Sequence, residues 1–160
     1  MRGKRIGAGA ALAAGALAAT GLAFAPAALA VTPQTATISA DCGTFGSGAA
    51  TLTATQDGTA ATVTVKSSAI TAPIALGADS ISSTLTLVKA GGGSVTFTGK
   101  KNPAMAAGAP VEVGPLNGTV ASGDSLEAYG GSLKMTVFGI TITITCTATG
   151  PQSPGPFVFD

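Results

Sequence analysis

Three observations predict an all-β protein, an antiparallel immunoglobulin-like β-sandwich of about seven to nine short strands with one long-range disulfide. In residues 140–147 every even position is apolar (Ile140, Ile142, Ile144, Cys146) and every odd one is threonine, the period-2 pattern of a strand buried on one face. Beyond residue 30 no window carries apolar side chains at i, i+3, i+4 and i+7, and Thr, Val and Gly dominate. Turn residues recur between the alternating runs, among them Asp57-Gly58, Gly91-Gly92-Gly93 and Asn117-Gly118.

Residues 1–30 read as a signal peptide. Arg2, Lys4 and Arg5 form a basic start, residues 6–24 are an uncharged Ala/Gly/Leu run, and Ala28 and Ala30 place small side chains ahead of cleavage between Ala30 and Val31. Retention as a membrane anchor is the alternative, because the run approaches the roughly 20 residues that span a bilayer. Alanine and glycine contribute little transfer free energy, which favours cleavage. The remaining residues 31–160 suit one domain able to bury a core. Both arginines lie in the leader, so that domain has five lysines against seven acids, a net charge of −2. With no Trp, no His and one Tyr, it offers neither a basic footprint for phosphates nor a stacking platform for bases, so nucleic acid is excluded.

The elements follow in order. Ala36, Ile38, Ala40 and Cys42 alternate with polar neighbours as a first strand, and residues 43–48 form a glycine-rich loop. Leu52 and Ala54, then Ala61, Val63 and Val65, flank Asp57-Gly58 as a hairpin, with both turn residues expected at positive φ. Pro73 cannot donate to a ladder, so a strand near residues 70–76 is broken there or lies at an edge. Leu85 and Leu87, then Val95 and Phe97, make a second hairpin about the three glycines, and residues 100–110 form a long surface connection. Val111, Val113 and Leu116 begin another strand ahead of a turn at Asn117-Gly118, and residues 123–131 read as a loop. Leu133, Met135 and Val137 are apolar on odd positions and Ile140 to Cys146 on even ones, so the phase slips at Phe138-Gly139. Either a bulge or a tight turn explains that slip. In the Pro/Gly-rich tail of residues 150–160, Phe157-Val158-Phe159 reads as a closing edge strand, with a flexible end or a segment that pairs with a partner as the alternatives.

Two cysteines in an exported chain predict a Cys42–Cys146 disulfide, and parity places both on the apolar face. Catalytic chemistry finds little support. Gly123-Asp124-Ser125-Leu126 matches the nucleophile block of GDSL hydrolases, but that serine needs a histidine, and the chain has none. Asp124 and Ser125 are better read as turn residues. Lacking histidine also disposes of most zinc sites, and Asp124 with Glu127 falls short of a calcium-loop spacing, so no metal, cofactor or catalytic residue is assigned. A Lys–Asn amide crosslink has the residue types in Lys66, Lys134, Asn117 and Glu112, yet both lysines fall on the polar parity of their strands.

The Ala-rich leader, the Thr/Gly/Ala-rich strands, early Cys42, the late Ile-Thr-Ile-Thr-Ile-Thr-Cys146-Thr run and the Gly/Pro-rich tail together resemble small exported β-sandwich proteins of actinobacteria, of uncharacterised function. That resemblance implies an extracellular or wall-associated protein without a known activity. The expected function is non-enzymatic: a secreted or envelope-associated domain acting on an unknown protein or cell-wall partner, touching membrane only through its signal peptide. The alternative is a small-molecule carrier whose apolar cleft is lined by Phe97, Met135 or Phe138.

Overall fold

The computed structural model describes residues 30–160, and the signal-peptide reading, Ala28 included, falls largely outside them. Ten strands and one short 3-10 turn make up the described chain: β1 (Val31–Thr32), β2 (Thr35–Asp41), η1 (Gly43–Phe45), β3 (Ser47–Asp57), β4 (Ala60–Thr71), β5 (Ile81–Lys89), β6 (Ser94–Gly99), β7 (Pro110–Thr119), β8 (Ser125–Val137), β9 (Ile142–Ala148) and β10 (Phe157–Phe159). Along each long strand buried and exposed residues alternate, as the sequence pattern requires.

The expected immunoglobulin-like sandwich is corrected by the ladder. Pairing runs β8, β5, β6, β7, β4, β3, β2, β9, and β9 pairs back onto β8, so eight antiparallel strands close into a barrel. Closure depends on two thin seams. β2 meets β9 only at Ala40↔Ala148 and Asp41↔Thr147, and β6 meets β7 only at Thr98↔Asn117. Glycine bulges bend the long strands enough to close the ring. The register of β4 on β7 slips around Gly114, and that of β5 on β8 slips around Gly130-Gly131. A Cβ on Gly131 would stand 2.0 Å from the Thr86 carbonyl oxygen, and one on Gly114 2.8 Å from Thr64 Cα, so only glycine permits these approaches.

Several local expectations change with the barrel. The phase slip at Phe138-Gly139 is a turn: Val137 pairs with Ile142, and residues 138–141 connect β8 to β9. Ile140 therefore leaves the core face on which parity had placed it. The first hairpin turns on Gly58-Thr59, with Asp57↔Ala60 as its closing pair and positive φ at Gly58 only, so the turn sits one residue later than Asp57-Gly58 suggests. Asn117-Gly118 is no turn but the interior of β7, where a Cβ on Gly118 would lie 2.6 Å from the Phe97 ring. Residues 125–131, expected as loop, are the first half of β8.

The Cys42–Cys146 disulfide is present and buried, as the alternation required. It stands beside the two-pair β2–β9 seam, and its sequence separation of 104 makes it a clamp on the barrel's longest-range closure.

Because neighbouring strands are antiparallel, successive loops alternate between the two barrel ends. One end carries η1, residues 72–80, residues 100–109 and the 138–141 turn; the other carries Gly58-Thr59, residues 90–93 and residues 120–124. The tail closes this second end. β10 lies between β8 (Phe157↔Leu126, Val158↔Ser125) and β1 (Val31↔Phe159), so β1, not the tail, occupies the edge. Phe157, Phe159 and Val31 are fully or almost fully buried. Backbone bonds from Gly123 N–H to the Phe159 carbonyl (2.8 Å) and from Phe159 N–H to the Asp124 carbonyl (2.9 Å) fasten the plug, and Gln56 Nε2 donates to the Asp160 carbonyl at 2.7 Å.

Candidate functional site

At the first end the two long loops are laced together before any side chain reaches the rim. Leu76 and Met105 exchange backbone hydrogen bonds at 2.8 and 2.9 Å, and Ala72 N–H donates to the Ala109 carbonyl at 2.9 Å. Asn102, buried between the loops, accepts from Ile81 N–H at 2.8 Å and donates from Nδ2 to the carbonyls of Gly77 and Pro103, both at 2.8 Å. A buried amide with its donors and acceptor paired fixes loop geometry, since an unpaired one would cost about 1–3 kcal/mol. The rim is therefore built, not floppy.

What that rim exposes is apolar. Phe138 is 55% exposed, Ile140 44% and Ile74 42%, and these are three of the five exposed large hydrophobic side chains among the described residues. Ile74 and Ile140 stand at a mouth that leads inward, and Phe138 lies on the same turn as Ile140. Phe45, Ile74, Leu76, Ile140 and Ile142 line an outer cavity of about 20 Å³. Behind it lies an inner cavity of about 40 Å³ bounded by small and branched side chains, among them Ala40, Ala50, Leu52, Val65 and Cys146. Ile70, Val111 and Met135 line both. An eight-stranded barrel is the size at which side chains just fill the interior or leave room for one small ligand. Here the alanines on β2 and β3 leave the room.

Electrostatics at this end are sparse. Lys101 Nζ pairs with Asp79 at 3.2 Å, and Asp41 Oδ1 accepts from Gly43 N–H at 2.8 Å. Lys100 Nζ stands 3.6 Å from the centre of the Phe138 ring, a cation–π contact, and makes no salt bridge among the described residues.

The three cleft residues suggested by sequence are dispersed. Met135 lies between the two cavities, Phe138 stands at the rim outside them, and Phe97 is fully buried in the packed wall against Gly118. Sequence reading missed Ile74 and Lys100, and took Ile140 for core. The usable signal was the glycine between Phe138 and Ile140, which lets a turn carry two large apolar side chains out of the sheet.

Other motifs resolve into structural roles. Asp124 holds the closed end: Lys89 Nζ sits 2.8 Å from Oδ1 and Ala121 N–H donates to Oδ2 at 2.9 Å. The Lys89 bond first, and the Ala121 N–H second, hold the Asp124 carboxyl below the ordinary carboxylate range. Glu127 Oε1 accepts from the N–H groups of Ala128, Tyr129 and Gln152. Lys66 pairs with Glu112 at 3.0 Å across β4 and β7 on the outer face, while Asn117 lies opposite Thr62, so the crosslink residues are not assembled. Among the described residues no three His, Cys, Asp or Glu side chains converge as metal ligands.

No protein-family model, no curated protein and no solved structure matches this chain.

Proposed function

We propose that the chain is a non-enzymatic, exported binding protein that takes up an apolar group of its partner through the open end of the barrel. One observation carries this reading. Two exposed large hydrophobic side chains, Ile140 and Ile74, line the mouth of an apolar cavity on a rim braced by Asn102, and a third, Phe138, is exposed on the same turn as Ile140. Scattered single exposed hydrophobics are ordinary, whereas a cluster over a concavity marks an interaction site. A disulfide fits an oxidising compartment, and the leader sequence supports export to the cell exterior or envelope.

Retention on immobilised cell-wall extract and on apolar resin tests the reading. Wild-type protein should be retained, and a Phe138→Ser, Ile140→Ser double variant should elute early although its fold is unchanged by circular dichroism. Equal retention of the two proteins, with Tyr129→Ser losing it instead, would place binding elsewhere on the molecule.

A further inference from the structure

We infer that the open end binds a single-chain carboxylate amphiphile, whose alkyl tail enters the barrel and whose head group rests on Lys100. This inference rests on the binding function proposed above and adds the chemical class of the ligand.

The cavities have the shape for an unbranched chain. Along β4, Val65 and Ser67 line only the inner cavity, Ile70 lines both, and Thr71 and Ala72 line only the outer one. β8 repeats the order with Leu133, Met135 and Val137. The two spaces therefore lie end to end rather than side by side. From Leu133 to Val137, where β8 is regular, the strand advances about 13 Å at ~3.3 Å per residue. With a barrel tilt near 40° this is roughly 10 Å of depth. A narrow path of that depth admits an alkyl chain and excludes a fused-ring system. Their volumes of about 40 and 20 Å³ compare with the ~10–15 Å³ that one water needs by the same kind of measure. The hydroxyl of Ser67, on the inner wall, is already spent on the Ala49 carbonyl at 2.7 Å, so the wall offers water little to bond. Met135 stands between the cavities, and its unbranched side chain is the one that can turn aside to join them.

Charge selects the head group. At this end Asp79 is ion-paired with Lys101, while the Asp41 carboxylate accepts from Gly43 N–H and keeps its charge. Lys100 is the cation left at this end without an acid partner among the described residues, and it lies over Phe138, which shares the 138–141 turn with the mouth-lining Ile140. A carboxylate leaving the mouth meets that ammonium. The source is a free amphiphile and not a bilayer, because surface binding to anionic membranes draws on clusters of about four to eight basic residues.

Isothermal titration of the oxidised full-length protein with dodecanoate, hexanoate, dodecanol and phosphatidylglycerol/phosphatidylcholine vesicles tests the assignment. One dodecanoate should bind per chain, with hexanoate more than about tenfold weaker because it buries fewer methylenes. Dodecanol should bind about fivefold weaker than dodecanoate, and Lys100→Gln should remove that difference, the size expected for an exposed ion pair. Ala50→Leu fills the inner cavity and should abolish the advantage of dodecanoate over hexanoate. Should that variant not fold, Lys100→Gln alone decides, since it alters an exposed side chain. Absence of saturable dodecanoate binding, or vesicle binding without it, overturns the inference. Equal affinity for dodecanol and dodecanoate in the wild type overturns the carboxylate assignment. The resin and wall-extract comparison of the Phe138→Ser, Ile140→Ser protein judges the underlying binding function independently of these outcomes.

Discussion

The two ends of this barrel are built from similar residues and put them to opposite uses. At the closed end Phe157 and Phe159 turn inward and are completely buried, with Val31 and Leu126 packed beside them. At the open end Phe138 and Ile140 turn outward on a four-residue loop, two cavities lie behind them, and the Ser83 hydroxyl is buried without a hydrogen-bond partner opposite Met135. Both pairs are large apolar side chains separated by one residue. The difference is pairing: Phe157–Phe159 finds β8 on one side and β1 on the other, whereas Phe138 to Ile140 spans the gap where two strands reverse. One end thus carries the packing that makes the domain stable, and the other keeps apolar surface available.

Mutations should separate these roles. The largest loss should follow removal of the disulfide clamp: Cys146→Ser is expected to cost about 4–5 kcal/mol in the chain-entropy model, read as a shift of the urea midpoint. A loss under about 1 kcal/mol would mean that the ladder holds the β2–β9 seam unaided. Next comes the plug. Phe159→Ala should cost about 3–5 kcal/mol, and the open-end Phe138→Ser should change stability by less than about 0.5 kcal/mol under the same conditions. Comparable values for the two would erase the distinction between the ends.

A smaller effect sits on the closed end and depends on pH. Asp124 titrates below its ordinary value of 3.8 in the folded protein, so its contribution is present above that value and is lost as pH falls through the lowered folded pKa. Asp124→Asn should therefore cost about 1 kcal/mol at neutral pH and nothing once the carboxyl is protonated in both states. Thermal melts of the two proteins should converge once pH falls below the lowered folded pKa of Asp124. A gap that persists there would show that the Asp124→Asn protein is destabilised for steric reasons instead.

Much of the strand content was legible because alternation reports which face of a strand is buried; the Cys42–Cys146 pairing followed from there being two cysteines in an exported chain, and its burial from the same parity. Whether the sheet closes was not legible. Alternation looks alike in a sandwich and in a barrel, and the deciding contacts, Ala40↔Ala148 and Thr98↔Asn117, join residues that lie 108 and 19 positions apart. Gly118 shows a further limit: Asn-Gly is a turn signal by local chemistry, yet the Phe97 ring claims the space where a side chain would be and holds the segment in β7. At the candidate site the individual rim residues were visible as letters. Their convergence was not, since Ile74, Lys100 and Phe138 arrive on three different connections.

The two thin seams also divide the labour of motion. β2 and β9 share two ladder pairs but are riveted by a covalent bond, whereas β6 and β7 share one pair, supplemented by Gly114 N–H donating to the Lys101 carbonyl at 2.7 Å. Fluctuations of the ring must therefore part it along β6. Under native conditions the β7-facing amides of residues 94–98 should exchange with deuterium ahead of those in β3, β4 and β8. A barrel that breathes on one flank, with the opposite flank acting as its hinge, can widen without unfolding.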